Sequence, residues 1–197
     1  MPLAAANSPN VVPSVRVPFI MSSPSTQFQP DELVVYPAQG VGVIDKIDQQ
    51  EIGGAQCEFY IVRIVSNNVT LMVPVKTASN VGLRHLISPD EGASILEDLQ
   101  SDVHQVIYTG QNWNRRFREY SDKLQSTDLA QVASVLKELL LIGRAKDLSF
   151  GEKRLQEQAM ALVTGELAQV LTQPEENLRE LILACYQPEP IAEAESS

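Results

Sequence analysis

The hydrophobic pattern of this 197-residue chain changes near Pro74, from short β-rich runs to apolar residues at helical spacing. Between Phe28 and Pro74 the runs are rich in Val, Ile and Tyr and are separated by turn residues. They occupy residues 33–36, 41–47, 59–65 and 69–73, with hairpin connections at Gly53-Gly54 and Ser66-Asn67-Asn68. Four or five strands in about fifty residues are too few for a sandwich. The pattern therefore predicts a small SH3-like or Tudor-like β-barrel, whose open edge strand can pair with a strand of another protein.

Beyond a connector that ends at Gly82, the sequence predicts helices. Ser88-Pro89-Asp90-Glu91 and Ser149-Phe150-Gly151-Glu152 both match the capping box that opens many helices. In the second helix, Phe117, Tyr120 and Leu124 fall on one apolar face. The expected helices are one over 89–100, one from Trp113, one after Asp128 that stops near Gly143, one after Ser149 and one after Thr172-Gln173-Pro174. The fold class is thus α+β, a small N-terminal barrel followed by an all-α helical bundle.

These patterns divide the chain into four parts. Residues 1–27 are rich in Pro, Ser, Ala and Asn and carry one charge, Arg16, so we expect a disordered extension. The barrel is expected over 28–82 and the helical domain over 83–187, with a loop over 101–112. Residues 188–197 contain acids and no base, which predicts an acidic, disordered tail.

The charge of the chain is uneven. The formal net charge of -10 argues against a protein that coats nucleic acid nonspecifically. Residues 113–154, however, contain nine basic and six acidic residues. This local excess of positive charge leaves room for a limited contact with phosphates.

The residue types that carry catalysis are not arranged for it. His85 and His104 lack ligand spacing, and no glycine-rich phosphate loop precedes a helix. Cys57 and Cys185 have no CxxC partner, which favours reduced thiols over a disulfide. We therefore expect no enzyme, no cofactor and no metal. The absence of a long apolar run and of a signal-like N-terminus predicts a cytoplasmic protein with no membrane contact.

The stretch Asn112-Trp113-Asn114-Arg115-Arg116-Phe117-Arg118 holds the only Trp of the chain beside three arginines. A lone Trp is often a core anchor between helices, and that reading stays open here. Its basic neighbours favour a surface that contacts a partner.

Four motifs resemble one known family. They are the stretch 31–42 with Val35-Tyr36-Pro37, Val73-Pro74 followed by residues 80–84, Asn112-Trp113-Asn114-Arg115-Arg116, and Leu148-Ser149-Phe150-Gly151-Glu152-Lys153-Arg154. Together they resemble the CarD/CdnL family of bacterial transcription factors. The N-terminal module of that family is similar to the polymerase-interacting domain of the transcription-repair coupling factor. The resemblance covers about residues 28–186.

The resemblance implies a protein that docks on the β subunit of RNA polymerase and reaches promoter DNA at the upstream edge of the bubble. Trp113 matches the family's wedge residue, which hinders bubble collapse and so stabilises the open complex. Phosphate contacts would come from Arg115, Arg116, Arg118, Lys153 and Arg154. The implied docking face surrounds Gln50, Met72 and Pro74, although relatives commonly carry basic residues at the first two positions.

Two other functions are consistent with the sequence. A protein-binding adaptor would join RNA polymerase to another factor without DNA contact, with Trp113 as an interface hot spot. A sequence-specific repressor is disfavoured, because no convincing helix-turn-helix or basic recognition helix is present. For the preferred function we expect a monomer that associates with the nucleoid through polymerase.

Overall fold

The computed structural model describes residues 27–101, 103 and 113–187. Within them a five-stranded antiparallel sheet is followed by five α-helices, so the α+β class is confirmed. The strands are β1 (Leu33–Tyr36), β2 (Gly40–Ile52), β3 (Ala55–Ile64), β4 (Thr70–Pro74) and β5 (Arg84–His85), with a 3₁₀ turn at Val75–Thr77. The helices are α1 (Pro89–Gln100), α2 (Trp113–Leu124), α3 (Leu129–Ala145), α4 (Phe150–Leu171) and α5 (Glu175–Cys185). The expected disorder of 1–27, apart from residue 27, and of 188–197, and most of the expected 101–112 loop with His104, lie outside the described residues.

The sheet runs in the order β4-β3-β2-β1-β5. Gly53 and Gly54 join β2 to β3 with φ angles of 61° and 81°, which glycine adopts without strain. A register shift between Ile44 and Lys46 bends β2. Closure into a barrel was expected, but β5 has only two residues, pairs with β1, and forms no ladder with β4 among the described strands. The sheet is therefore bent and open, with β4 at one edge.

The inner face of the sheet buries its own apolar core. Phe28 closes this core at one end, and its backbone N–H donates to the Tyr60 hydroxyl over 3.2 Å. The sheet reaches His85 of β5, past the expected module end at residue 82. The core consists of Phe28, Val34, Ile44, Tyr60, Val62, Ile64, Val73, Ala78 and Leu83.

The helices begin where the local signals predict. Both capping boxes are confirmed: Ser88 with Glu91 opens α1, and Ser149 with Glu152 opens α4. The side chain of Asp128 caps α3 by accepting from the N–H of Ala130. The helical core is built mainly from the apolar faces of α3 and α4. None of the helices that the structure describes is long and apolar enough to cross a membrane.

A buried ion pair joins the sheet to the helices. Arg84 of β5 donates to both carboxylate oxygens of Glu166 on α4, over 2.6 and 2.8 Å. The backbone N–H of Ile87 donates to the same carboxylate over 3.1 Å. Glu166 is almost fully buried, and these partners offset the cost of removing its carboxylate from water. The pair thus fixes how the sheet module (residues 28–85) and the helical module (α1–α5) lie against each other.

Candidate nucleic-acid interface

The first turns of α2 and α4 meet at Trp113 and Gly151. The indole is half-buried, and a Cβ built on Gly151 would lie only 2.9 Å from Trp113 Cζ2. A side chain at position 151 would therefore collide with the ring. The Phe117 ring also packs against the indole, with the two ring centroids 5.6 Å apart. Trp113 is thus packed on one side and accessible on the other, which combines the two roles considered for it.

A second contact joins the same two helix turns. Arg116 donates to Glu152 Oε1 over 2.7 Å, and the two residues are only 8% and 3% exposed. The other oxygen of Glu152 accepts from the Ser149 N–H and hydroxyl, over 2.9 and 2.8 Å. The Arg116 guanidinium carbon lies 5.7 Å from the centre of the Trp113 ring. Two motifs that are far apart in sequence thus form one unit in space.

This placement corrects what was expected of α2. Arg116 was expected to contact phosphate, but it shares the buried stripe of Tyr120 and Leu124 and is committed to Glu152. Phe117 was expected on that apolar face, yet it is 43% exposed. The reason is that the Glu152 carboxylate offsets the cost of burying the Arg116 cation, while Phe117 packs on Trp113 at the surface.

The Glu152 carboxylate stays ionised in this setting. Burial raises the pKa of the group, but hydrogen bonds from Ser149 and the charges of Lys146 and Arg116 outweigh that effect. The pKa of Glu152 therefore lies below its ordinary value of 4.5. An ionised Glu152 keeps both Arg116 and the capping box in place at neutral pH.

Four of the predicted phosphate contacts are exposed around this unit. Arg115 and Arg118 lie on α2, while Lys153 and Arg154 lie in the first turns of α4. Among the described residues, none of the four is paired with a carboxylate. They point to different sides: Arg154 lines a groove with Phe117, whereas Lys153 lines another with Arg144.

Phe150 is a surface feature that sequence reasoning missed. The sequence indicated only its place inside a capping box, yet its side chain is 86% exposed. Its position gave a usable signal, because it lies off the apolar stripe that Leu155, Ala159 and Leu162 form on α4. It adds an aromatic ring beside Gly151 and Arg154.

The residues of the expected docking face share one side of the sheet. Met72 is opposite Ile61, Pro74 is opposite Phe59, and Gln50 is opposite Cys57, all on the face away from the core. Met72 is 49% exposed, and β4 is an edge strand. Ile64 N–H donates to Val69 O over 2.8 Å. Along an antiparallel pair, residues that bond to the neighbouring strand alternate with residues that do not. The backbone N–H and C=O of Met72, three positions after Val69, therefore point away from β3.

A metal site and a disulfide find no support in the described part of the chain. No group of three or more His, Cys, Asp or Glu side chains there is arranged to hold a metal ion. Cys57 and Cys185 are both free thiols, so the disulfide alternative is not formed.

Comparison with known proteins gives two family matches. The model for the CarD-like/TRCF RID domain matches residues 28–87, and the model for the CarD, C-terminal domain matches residues 94–183. The first match takes in the whole sheet, and the second takes in the Trp113–Gly151 and Arg116–Glu152 contacts.

The chain is also similar to individual proteins. The chain is similar to the "Putative transcription factor YdeB" of Bacillus subtilis (strain 168), with 24% identity over 140 residues, which are 71% of this chain and 90% of that protein. It is also similar to the solved structure "CdnLNt from Myxoccoccus xanthus", with 40% identity, covering 32% of this chain and 89% of the other at a TM-score of 0.28. Because the two family models follow one another along the chain and leave only residues 88–93 between them, the chain belongs to the CarD/CdnL family.

Proposed function

We propose that this protein is a transcription regulator that docks on the β subunit of RNA polymerase and stabilises the promoter open complex. The observation that carries the proposal is the unit formed by the two helix turns, in which Trp113 lies on Gly151 and Arg116 bonds to Glu152. Family membership and the name of the Bacillus relative support its transcriptional part.

Trp113 is the proposed wedge at the upstream edge of the bubble. A wedge residue must be stiff, because unstacking a base step costs a few kcal/mol that a mobile side chain would not recover. Contacts with Gly151, Phe117 and Arg116 hold the indole on one side and leave the other free for DNA. Arg116 is proposed to orient the wedge rather than to bind phosphate.

Phosphate contacts are assigned to Arg115, Arg118, Lys153 and Arg154, which are exposed on the two helices whose first turns meet at the wedge. Such contacts fix the position of DNA without reading its sequence. Because the protein has only four such phosphate contacts and a net charge of -10, its affinity for free duplex is low. Polymerase must therefore deliver the protein to the promoter.

Docking is assigned to the edge strand β4 and the outer face with Gln50, Met72 and Pro74. The outward backbone of Met72 supports pairing with a polymerase strand. Gln50 and Met72 offer no positive charge, so the backbone and apolar contacts carry the interaction. In this proposal the protein acts as a monomer in the cytoplasm, associates with the nucleoid through polymerase and catalyses no reaction.

The alternative is an adaptor that joins polymerase to another protein without touching DNA. The exposed Phe150 ring favours it, since such a ring also suits a protein interface. A photoreactive residue at Asn114, which is exposed next to Trp113, separates the two functions inside the polymerase–promoter complex. The proposal expects crosslinks to DNA at the upstream edge of the bubble, and none from the same residue at Leu181 on α5. Crosslinks to protein alone would establish the adaptor.

A further inference from the structure

A groove of about 700 Å³ lies between the two modules, and the proposed function above makes no use of it. Tyr36 and Pro37 of the sheet module form one wall. Phe117 of α2 and Phe150 with Arg154 of α4 form the other. Gly151, on which Trp113 lies, also lines the groove. The groove therefore begins next to the proposed wedge.

The lining of the groove has an unusual composition for this chain. It carries three aromatic rings, Tyr36, Phe117 and Phe150, and one cation, Arg154. Among the residues that the structure describes, the remaining polar lining residues are amides and hydroxyls and none is a carboxylate, although the sequence has 25 acidic residues. An anion that enters therefore meets one positive charge and no facing acid.

The exposure of the rings is also unexplained by the fold. Phe150 is 86% exposed and Phe117 is 43% exposed, so neither contributes much to the helical core. Exposed aromatic rings beside basic groups suit partners that present flat faces joined by phosphates. A double helix offers no such faces, because its bases are stacked and paired.

We infer that this groove binds unpaired, single-stranded DNA. Bases stack on Phe150 and Phe117, and the backbone phosphate between them faces Arg154. The inference rests on the proposed function, since the wedge at Trp113 lies at the edge of the bubble, where the strands are already unpaired and the groove begins. It extends that function by adding a contact with one unpaired strand beside the wedge.

The test uses the full chain and a fork-junction DNA whose unpaired overhang carries the fluorescent base 2-aminopurine. A fully paired DNA of the same length and sequence is the comparison, at low salt. The variants are Phe150→Ala, Phe150→Tyr, which keeps a ring, and Arg154→Gln. Leu181→Ala removes an exposed apolar side chain from α5, outside the groove, and is the matched control.

The fork should bind more tightly than the paired DNA and quench 2-aminopurine on binding. Phe150→Ala should lower fork affinity by about fivefold or more, while Phe150→Tyr and Leu181→Ala leave it unchanged. Arg154→Gln should reduce the slope of log affinity against log salt by about 0.7. Equal affinity for both DNAs, or a fork preference that Phe150→Ala does not change, overturns the inference.

Two further readouts keep this inference separate from the proposed function. If Trp113→Ala shortens the open-complex lifetime while Phe150→Ala leaves fork binding intact, the groove assignment is overturned and the wedge stands. If Phe150→Ala instead weakens binding to a β-subunit fragment and leaves DNA binding unchanged, the groove is a protein site and the inference is also overturned.

Discussion

The indole of Trp113 lies directly on the backbone of Gly151, where a Cβ would come within 2.9 Å of Cζ2. This contact joins two motifs that are separated by most of α2 and all of α3. Because Gly151 belongs to the first turn of α4, the position of the indole is tied to the helix that carries Lys153 and Arg154. The proposed wedge is therefore held against the helix that carries two of its proposed phosphate contacts.

Gly151→Ala should displace the indole, because the added methyl group overlaps the ring. We expect a destabilisation of about 1–3 kcal/mol or, if the ring moves outward, a smaller one with greater exposure of Trp113. Since Trp113 is the only Trp in the chain, its fluorescence emission maximum reports this movement directly. An unchanged maximum and unchanged stability would mean that the two residues are not in contact. Gly165→Ala on the same helix is the control, because a Cβ there meets nothing within 4 Å.

Arg116→Gln should act through stability rather than through a lost phosphate contact. It leaves the buried Glu152 carboxylate without its ion pair, which costs about 3 kcal/mol or more. Urea denaturation measures this loss. The neighbouring Arg115→Gln is the matched control, and its exposed position predicts a change within about 0.5 kcal/mol together with weaker promoter binding. Full stability in Arg116→Gln would show that this pair does not hold α2 to α4.

Glu166→Gln should loosen the junction between the modules. The substitution weakens the two bonds from Arg84, and the expected loss of stability is about 3 kcal/mol. Binding to a β-subunit fragment should remain, because the edge strand β4 is far along the sheet from β5, whereas the open-complex lifetime should fall. Arg179→Gln breaks an exposed pair with Glu157 and should cost at most about 1 kcal/mol. Equal lifetimes for Glu166→Gln and the native chain would rule out a role for a fixed module geometry.

Met72→Pro tests docking through the edge strand. Proline at position 72 removes the outward N–H without removing a hydrogen bond to β3. Edge strands tolerate proline at such outward positions. The variant should fold and bind the β-subunit fragment at least about fivefold more weakly. Met72→Ala keeps the N–H, so it isolates the side-chain contribution. If both variants bind alike, backbone pairing at this position is excluded.

The elements that sequence reasoning located are those with local causes. Ser88 and Ser149 mark the starts of α1 and α4 because each capping box satisfies backbone N–H groups with residues three positions apart. Gly53 and Gly54 mark the β2–β3 turn because few other residues adopt their backbone angles. Such signals operate within a few residues and do not depend on the rest of the fold.

The features that were missed have causes at long range. The two-residue strand β5 is held by β1, which lies about fifty residues earlier, and two residues carry no pattern of their own. Burial of Arg116 depends on Glu152, 36 positions away. Arg116, Tyr120 and Leu124 are spaced four residues apart, as on one face of a helix. The charge of Arg116 nevertheless favoured the prediction that it lies at the surface. The buried Glu166 likewise becomes understandable only once Arg84 lies beside it.

The most direct measurement is the lifetime of a promoter open complex formed by cognate RNA polymerase, without the protein, with the native chain and with Trp113→Ala. Binding of the variant to a β-subunit fragment is measured alongside, so that loss of the wedge is distinguished from loss of docking. We predict that the native chain lengthens the lifetime and that Trp113→Ala does not, although the variant still binds the fragment. An equal increase with both proteins would contradict the proposal that Trp113 is the wedge that stabilises the open complex.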